Sequence, residues 1–253
     1  IRSFSLLAAF ALFSRQGALL GLAIVLRRFR KLERPSRRRI LDLPAYRRML
    51  SLNRDIMIRS FSLLAAFALF TRQGAQFGTV TLAANAVLMN FFLVAGYFLD
   101  GFATAAEQLA GRAIGAHAAA PFRQAVRLTL IWGVGLAAVA SLILLTAGAQ
   151  LVAMVTTAPE VRAVADIYLP WAAFTALSGV LAFQMDGVFI GATWSRDMRN
   201  MMLLSFLAFA AALITLAPAF GNNGLWAALH VFLLVRGFSL LAVLRLRMRT
   251  AFS

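Results

Sequence analysis

Apolar residues along this chain fall in long runs, and the polar and basic residues are gathered into the stretches between them. The runs are 1–26, interrupted by Arg15 and Gln16, then Ile56 to Gln76, Leu82 to Thr104, Val126 to Val155, Ile167 to Thr193, Met201 to Phe220 and Leu225 to Leu244. About 20 apolar residues at 1.5 Å rise cross the roughly 30 Å hydrocarbon core, so each run predicts a membrane helix. The pattern therefore predicts an all-α integral membrane protein. It divides into an apolar segment at 1–26, a basic polar linker at 27–55 broken by Pro35 and Pro44, and a six-span helical bundle over 56–253. Within the linker, Ala45 to Leu52 mixes Met49, Leu50 and Leu52 with Arg47 and Arg48, which suits either a short amphipathic surface helix or a plain solvated connector.

The run from Ile167 to Thr193 organises the rest, because its single formal charge, Asp186, lies deep inside it. A carboxylate there costs a few kcal/mol on insertion, so such residues face a bundle interior or a wet cavity and mark ion or substrate paths. The same helical face carries Ala182, Gly179, Ser178 and Thr175, small enough to form a packing seam instead.

Composition narrows the class. With 62% hydrophobic and 13% charged residues, the chain is far more apolar than a soluble domain. It has no cysteine and two isolated histidines, His117 and His230, so no metal cluster or metal-dependent chemistry is expected. A net charge of +16 could suit nucleic acid, but the distribution argues against it. Eleven of the 25 basic residues lie between Arg27 and Arg54, and most others flank apolar runs at Arg112, Arg123, Arg127, Arg196, Arg199, Arg245, Arg247 and Arg249. By the positive-inside rule this places the linker and the C-terminus in the cytoplasm, with an even number of spans between them. No catalytic triad, Walker loop or dinucleotide fingerprint occurs, so no enzyme is expected.

Three spans run inward and carry ionisable residues at comparable depth. Counting 1.5 Å per residue, Asp100 lies about 18 Å before Arg112, Asp186 about 15 Å before Arg196 and Arg236 about 13 Å before Arg245. Around Asp100 the helical stripe reads Asn85, Met89, Leu93, Gly96, Asp100, Thr104, Glu107 or Gln108, and Gly111, a polar and small line through an apolar helix and a second candidate cavity wall. Arg236 can serve as a static partner for either acid. Asn90 and Gln184 can line a cavity or bond across helices, Gly111 with Gly115 forms a GxxxG pattern, Arg72 can snorkel to the outer face, and Arg59 is expected to snorkel to the inner face. The ion- or substrate-binding candidates are thus Asp186, Asp100, Arg236, Gln184, Asn85, Asn90 and Glu107.

One block recurs: Ile1 to Ala18 and Ile58 to Ala75 differ only at Ser14 and Thr71. Near identity that stops abruptly suits a recent duplication or an assembly accident better than a structural repeat, and a start at Ile1 suggests that residues precede it. The opening run has no basic start and short apolar core, so it does not read as a signal peptide.

The runs LAANAVLMNFFLVAGYFLDGFATAAEQLAGRAIGA, Leu82 to Ala116, and FQMDGVFIGATWSRDMRNMML, Phe183 to Leu203, resemble the multidrug and toxic compound extrusion family, in its DNA-damage-inducible protein F-like branch. The likeness covers about Arg27 to the C-terminus. It implies the second six-span lobe of a twelve-span secondary transporter of the bacterial inner membrane, exporting organic cations and other toxic compounds by proton or sodium antiport and alternating access. A missing N-terminal lobe would be its partner, and no cofactor is implied beyond the coupling ion. Sodium-coupled members take one acid from the first and one from the fourth span of this lobe; Asp186 matches the fourth, but no acid lies between Asp55 and Asp100. The alternatives are a truncated, non-transporting membrane fragment and a lipid-intermediate flippase of related architecture, whose cavity would be richer in basic residues.

Overall fold

A computed structural model describes residues 42–252, together with Arg27. The apolar segment 1–26, with its copied block, and the linker up to residue 41 lie otherwise outside the described residues. Six helices follow one another: α1 Leu43–Ala75, α2 Thr79–Gly115, α3 Ala119–Val155, α4 Pro159–Gly191, α5 Ser195–Phe220 and α6 Asn222–Ala251. No connection exceeds three residues, so consecutive helices run antiparallel.

Each helix outruns the apolar stretch that predicts it. Hydropathy ends where charged residues begin, whereas the backbone ladder continues into the interface because Arg, Glu and Ala are good helix formers. The largest difference is at α1, which begins at Leu43, inside the expected linker, and incorporates the stretch read as a separate surface helix. Pro44 does not break it. In the first turn a proline forfeits no intrahelical bond, and the Tyr46 N–H already reaches Asp42 O at 2.9 Å.

Five of the six helices are long and apolar enough to cross a membrane; α1, expected to span over Ile56 to Gln76, falls short of that composition. Its apolar stretch is diluted by Asp55, Arg59, Arg72 and Gln73. α4 is the central helix. It packs against α2, α3, α5 and α6, and 72% of its most apolar window is buried, against at most 44% in the other candidate spans. Large side chains on the outer faces, among them Trp132, Leu142, Leu207, Ile214 and Phe238, remain exposed, as a lipid-facing surface requires.

The α2–α4 crossing is a backbone contact. A Cβ at Gly187 would lie 2.0 Å from Ala103 O, and one at Gly191 would lie 2.1 Å from Glu107 O. The close-packing pair is therefore Gly187 with Gly191 on α4, the spacing that lets membrane helices approach. A Cβ at Gly111 would lie 3.1 Å from Gly191 O, but one at Gly115 would meet open space, so the expected Gly111–Gly115 pair does not act as a unit.

Two turns at the basic end repeat one design. Ile114-Gly115-Ala116-His117 and Ile190-Gly191-Ala192-Thr193 both end in a residue at positive φ, 51° at His117 and 59° at Thr193. In each the next N–H reaches back five residues, Ala118 to Ala113 O and Trp194 to Phe189 O, both at 2.9 Å. This is the Schellman closure, usually made by glycine. Phe122 packs on Trp194 and Phe252, with centroids at 6.1 and 5.4 Å, and so joins these turns to the end of α6.

α1 is fastened differently from the rest, through side chains. Asp55, wholly buried, accepts from Arg199 Nη1 at 2.6 Å and Ser195 Oγ at 3.2 Å at the start of α5. Toward the other end, Phe67 meets Phe92 at 6.1 Å and Phe70 meets Trp226 edge-on at 5.2 Å. Asp55, Arg59, Ala66, Phe70 and Gly74 form one stripe at helical spacing.

Candidate functional site

α1, α2, α4 and α6 together line an open cavity of about 300 Å³. Its floor is the Ala103–Gly187 contact, which brings Asp100, on the turn before Ala103, to the same space as Asp186, beside Gly187. The wall is aromatic, with Phe67, Phe92, Tyr97 and Phe183, and the charged lining is Arg59, Asp100, Glu107, Asp186 and Arg236.

Asp186 is 6% exposed and holds two arginines from two other helices. Arg59 Nη2 on α1 donates to Asp186 Oδ2 at 2.5 Å, and Arg236 Nη2 on α6 donates to the same oxygen. Asp186 Oδ1, Arg59 Nε and Arg236 Nε are buried without a hydrogen-bond partner in the protein. Buried ionic groups are costly unless fully paired, so this half-satisfied cluster adds little net stability. The two arginines also interact electrostatically with Asp100 across the cavity. Three carboxylates against two guanidiniums give the lining a formal charge of −1.

Four of the seven sequence candidates, Asp186, Asp100, Arg236 and Glu107, therefore line this cavity. The equal depth counted along the spans for the first three corresponds to a shared space. The other three lie elsewhere. Gln184 is buried and donates to Thr129 Oγ1, joining α4 to α3. Asn85 exchanges hydrogen bonds with Asn222, at 2.7 and 3.0 Å, and accepts from Trp226 Nε1 at 3.0 Å, so it pins α2 to the start of α6. Asn90 is exposed and donates to Ala86 O of its own helix at 3.0 Å. Asn85 and Asn90 do line a second, apolar cavity of about 360 Å³, which shares Phe67 and Leu93 with the first.

Arg59 is the residue that the sequence reading misplaces. Its position near the basic end suggested snorkelling, but its guanidinium turns inward to Asp186. The available signal is the i, i+4 spacing from Asp55, which sets both charges on the stripe that α1 buries. Among the described residues no group of three or more His, Cys, Asp or Glu could hold a metal ion.

Comparison with known proteins supplies the family. The MatE family model matches residues 56–216, which is more than half of the chain. The chain belongs to the MatE family. Over 206 residues it is 41% identical to DNA damage-inducible protein F of Escherichia coli (strain K12), covering 79% of this chain and 43% of that protein. It is also similar to Protein DETOXIFICATION 44, chloroplastic, of Arabidopsis thaliana, 27% identical over 186 residues, which is 70% of this chain and 34% of the relative. The chain thus spans less than half the length of either relative. Both the resemblance read from Leu82 to Ala116 and Phe183 to Leu203 and the helical membrane architecture are upheld, and this MatE chain is a multi-pass membrane protein.

Proposed function

We propose that this bundle is one lobe of a multidrug and toxic compound exporter, coupled to a proton or sodium gradient and working by alternating access in a bacterial inner membrane. The observation that carries the reading is the buried Asp186 at the wall of an aromatic, net-negative cavity. In this reading Asp186 takes up the coupling cation in exchange with substrate, and Asp100 and Glu107 draw a cationic substrate against Phe67, Phe92, Tyr97 and Phe183. Arg236 orients Asp186. A second lobe completes the cavity, as in transporters whose sites lie between repeats near the midplane. The basic end faces the cytoplasm.

The flippase alternative asks for a basic cavity. Arg59 adds a second cation to Arg236, but both donate to Asp186, and Asp100 and Glu107 turn the balance negative. A cationic substrate fits that balance better than an anionic lipid intermediate. The test is efflux of a fluorescent organic cation from cells producing the full protein. Asp186→Asn should abolish gradient-driven efflux at unchanged expression, and efflux at the wild-type rate in that variant overturns the assignment.

A further inference from the structure

We propose that Arg59 is a displaceable internal cation: it holds Asp186 while the coupling site is empty, yields that carboxylate when the coupling cation arrives, and passes to Asp100 across the cavity, releasing α1. This rests on the reading of Asp186 as the coupling site.

The two arginines on Asp186 Oδ2 are not equivalent. Arg236 is 4% exposed, and its helix is held close to α4, since a Cβ at neighbouring Gly237 would lie 3.1 Å from Ala182 N. The Arg59 side chain is 18% exposed, and it projects from α1, the described helix that reaches its neighbours through side chains. Two positive charges already face one negative oxygen, so a third cation at Asp186 meets net repulsion until one guanidinium leaves. Arg59 is the more exposed of the two, and it sits on the helix with the looser backbone packing.

It also has somewhere to go. Asp100 lines the same cavity, makes no ion pair among the described residues, and already interacts electrostatically with Arg59. Glu107, two helical turns further along α2, extends that acidic face. The exchange leaves the charge count at Asp186 unchanged, with the cation taking the place of Arg59 beside Arg236, while Arg59 neutralises Asp100. One turn below Arg59, the Asp55 bonds to Arg199 and Ser195 stay in place, so α1 keeps its anchor at the basic end when the Arg59 bond opens. Arg59 is thus a positioning residue that converts cation loading into freedom of α1.

The chain contains no cysteine, so a thiol placed at Leu63, on α1 beside the cavity, reports on that helix. The full protein, with other thiols removed, would be reconstituted in vesicles, and the rate of maleimide labelling at Leu63→Cys measured before and after a sodium step or an acid step. Labelling should rise several-fold on addition of the coupling cation. With Arg59→Gln it should sit at the raised rate throughout, whereas Arg59→Lys, which keeps the charge, should restore the response. A wild-type response in Arg59→Gln overturns the proposal, as does an Arg59→Lys variant as unresponsive as Arg59→Gln. Loss of coupled transport in Asp186→Asn alongside a normal response in Arg59→Gln removes this proposal alone. Normal coupled transport in Asp186→Asn removes the site on which it rests.

Discussion

Replacing Gly187 by alanine adds one methyl group, and the structure specifies what that methyl meets. Its Cβ would lie 2.0 Å from Ala103 O and 2.7 Å from the Ala103 carbonyl carbon. Real Cβ contacts are essentially never shorter than 3.0 Å, so α2 and α4 must part by about 1.0 Å (3.0 − 2.0) at the floor of the cavity. The atom in the way is backbone within a helix and cannot rotate aside. Overpacking costs about 1–3 kcal/mol, and a backbone clash belongs at the upper end, about 3 kcal/mol. Glycine to alanine within a helix otherwise stabilises by about 1 kcal/mol, and Gly101 on α2 and Gly135 on α3, with nothing within 4 Å, should show that sign. At about 2–4 °C per kcal/mol for a bundle of this size, Gly187→Ala should lower the thermal midpoint in detergent by about 6–12 °C, while Gly101→Ala and Gly135→Ala leave it equal or higher. A Gly187→Ala midpoint no lower than that of Gly101→Ala would show that the α2–α4 approach is not as close as described.

Other substitutions separate structural polar groups from the cavity. Asn85→Ala orphans the buried amide of Asn222 and the indole N–H of Trp226, and should cost about 2–3 kcal/mol in a melt. Gln184→Leu should cost under about 1 kcal/mol, because Thr129 keeps its 2.7 Å bond to Ala125 O, and efflux should stay at the wild-type rate. Asp55→Asn leaves Arg199 without its carboxylate. Arg199 is one-fifth exposed, so the loss should be about 1–2 kcal/mol, below that of a fully buried pair. The Asp197–Arg247 bridge is more exposed still, and Asp197→Asn should move the midpoint by less than about 1 kcal/mol equivalent and less again in high salt.

Much of the fold was legible because a bilayer permits few solutions: apolar length gave the helices, and short turns gave the antiparallel order. What hydropathy could not give was where α1 begins, since Leu43 to Asp55 is charged yet helical. At the site, counting depth put Asp100, Asp186 and Arg236 at one level because rise per residue is fixed. Pairings between helices carry no such regularity. Nothing in the order of residues links Asn85 to Asn222, or Gln184 to Thr129, so these buried amides looked the same as cavity residues. Arg59 was missed because a long side chain near the end of an apolar run has two ways to turn, and only the position of Asp186 on another helix decides between them. Gly187 and Gly191 were visible as small residues, but which small residues meet depends on the rotation of α2 against α4.

The most direct test of the account is the movement of protons and sodium during transport, in vesicles holding the full protein with either Asp186 or asparagine at that position. With Asp186, adding an organic cation substrate should drive proton or sodium flow in the opposite direction. With asparagine, substrate should still bind while the counterflow disappears. Counterflow at the wild-type ratio in the asparagine variant would contradict the claim that the buried carboxylate of α4 is where the gradient is coupled.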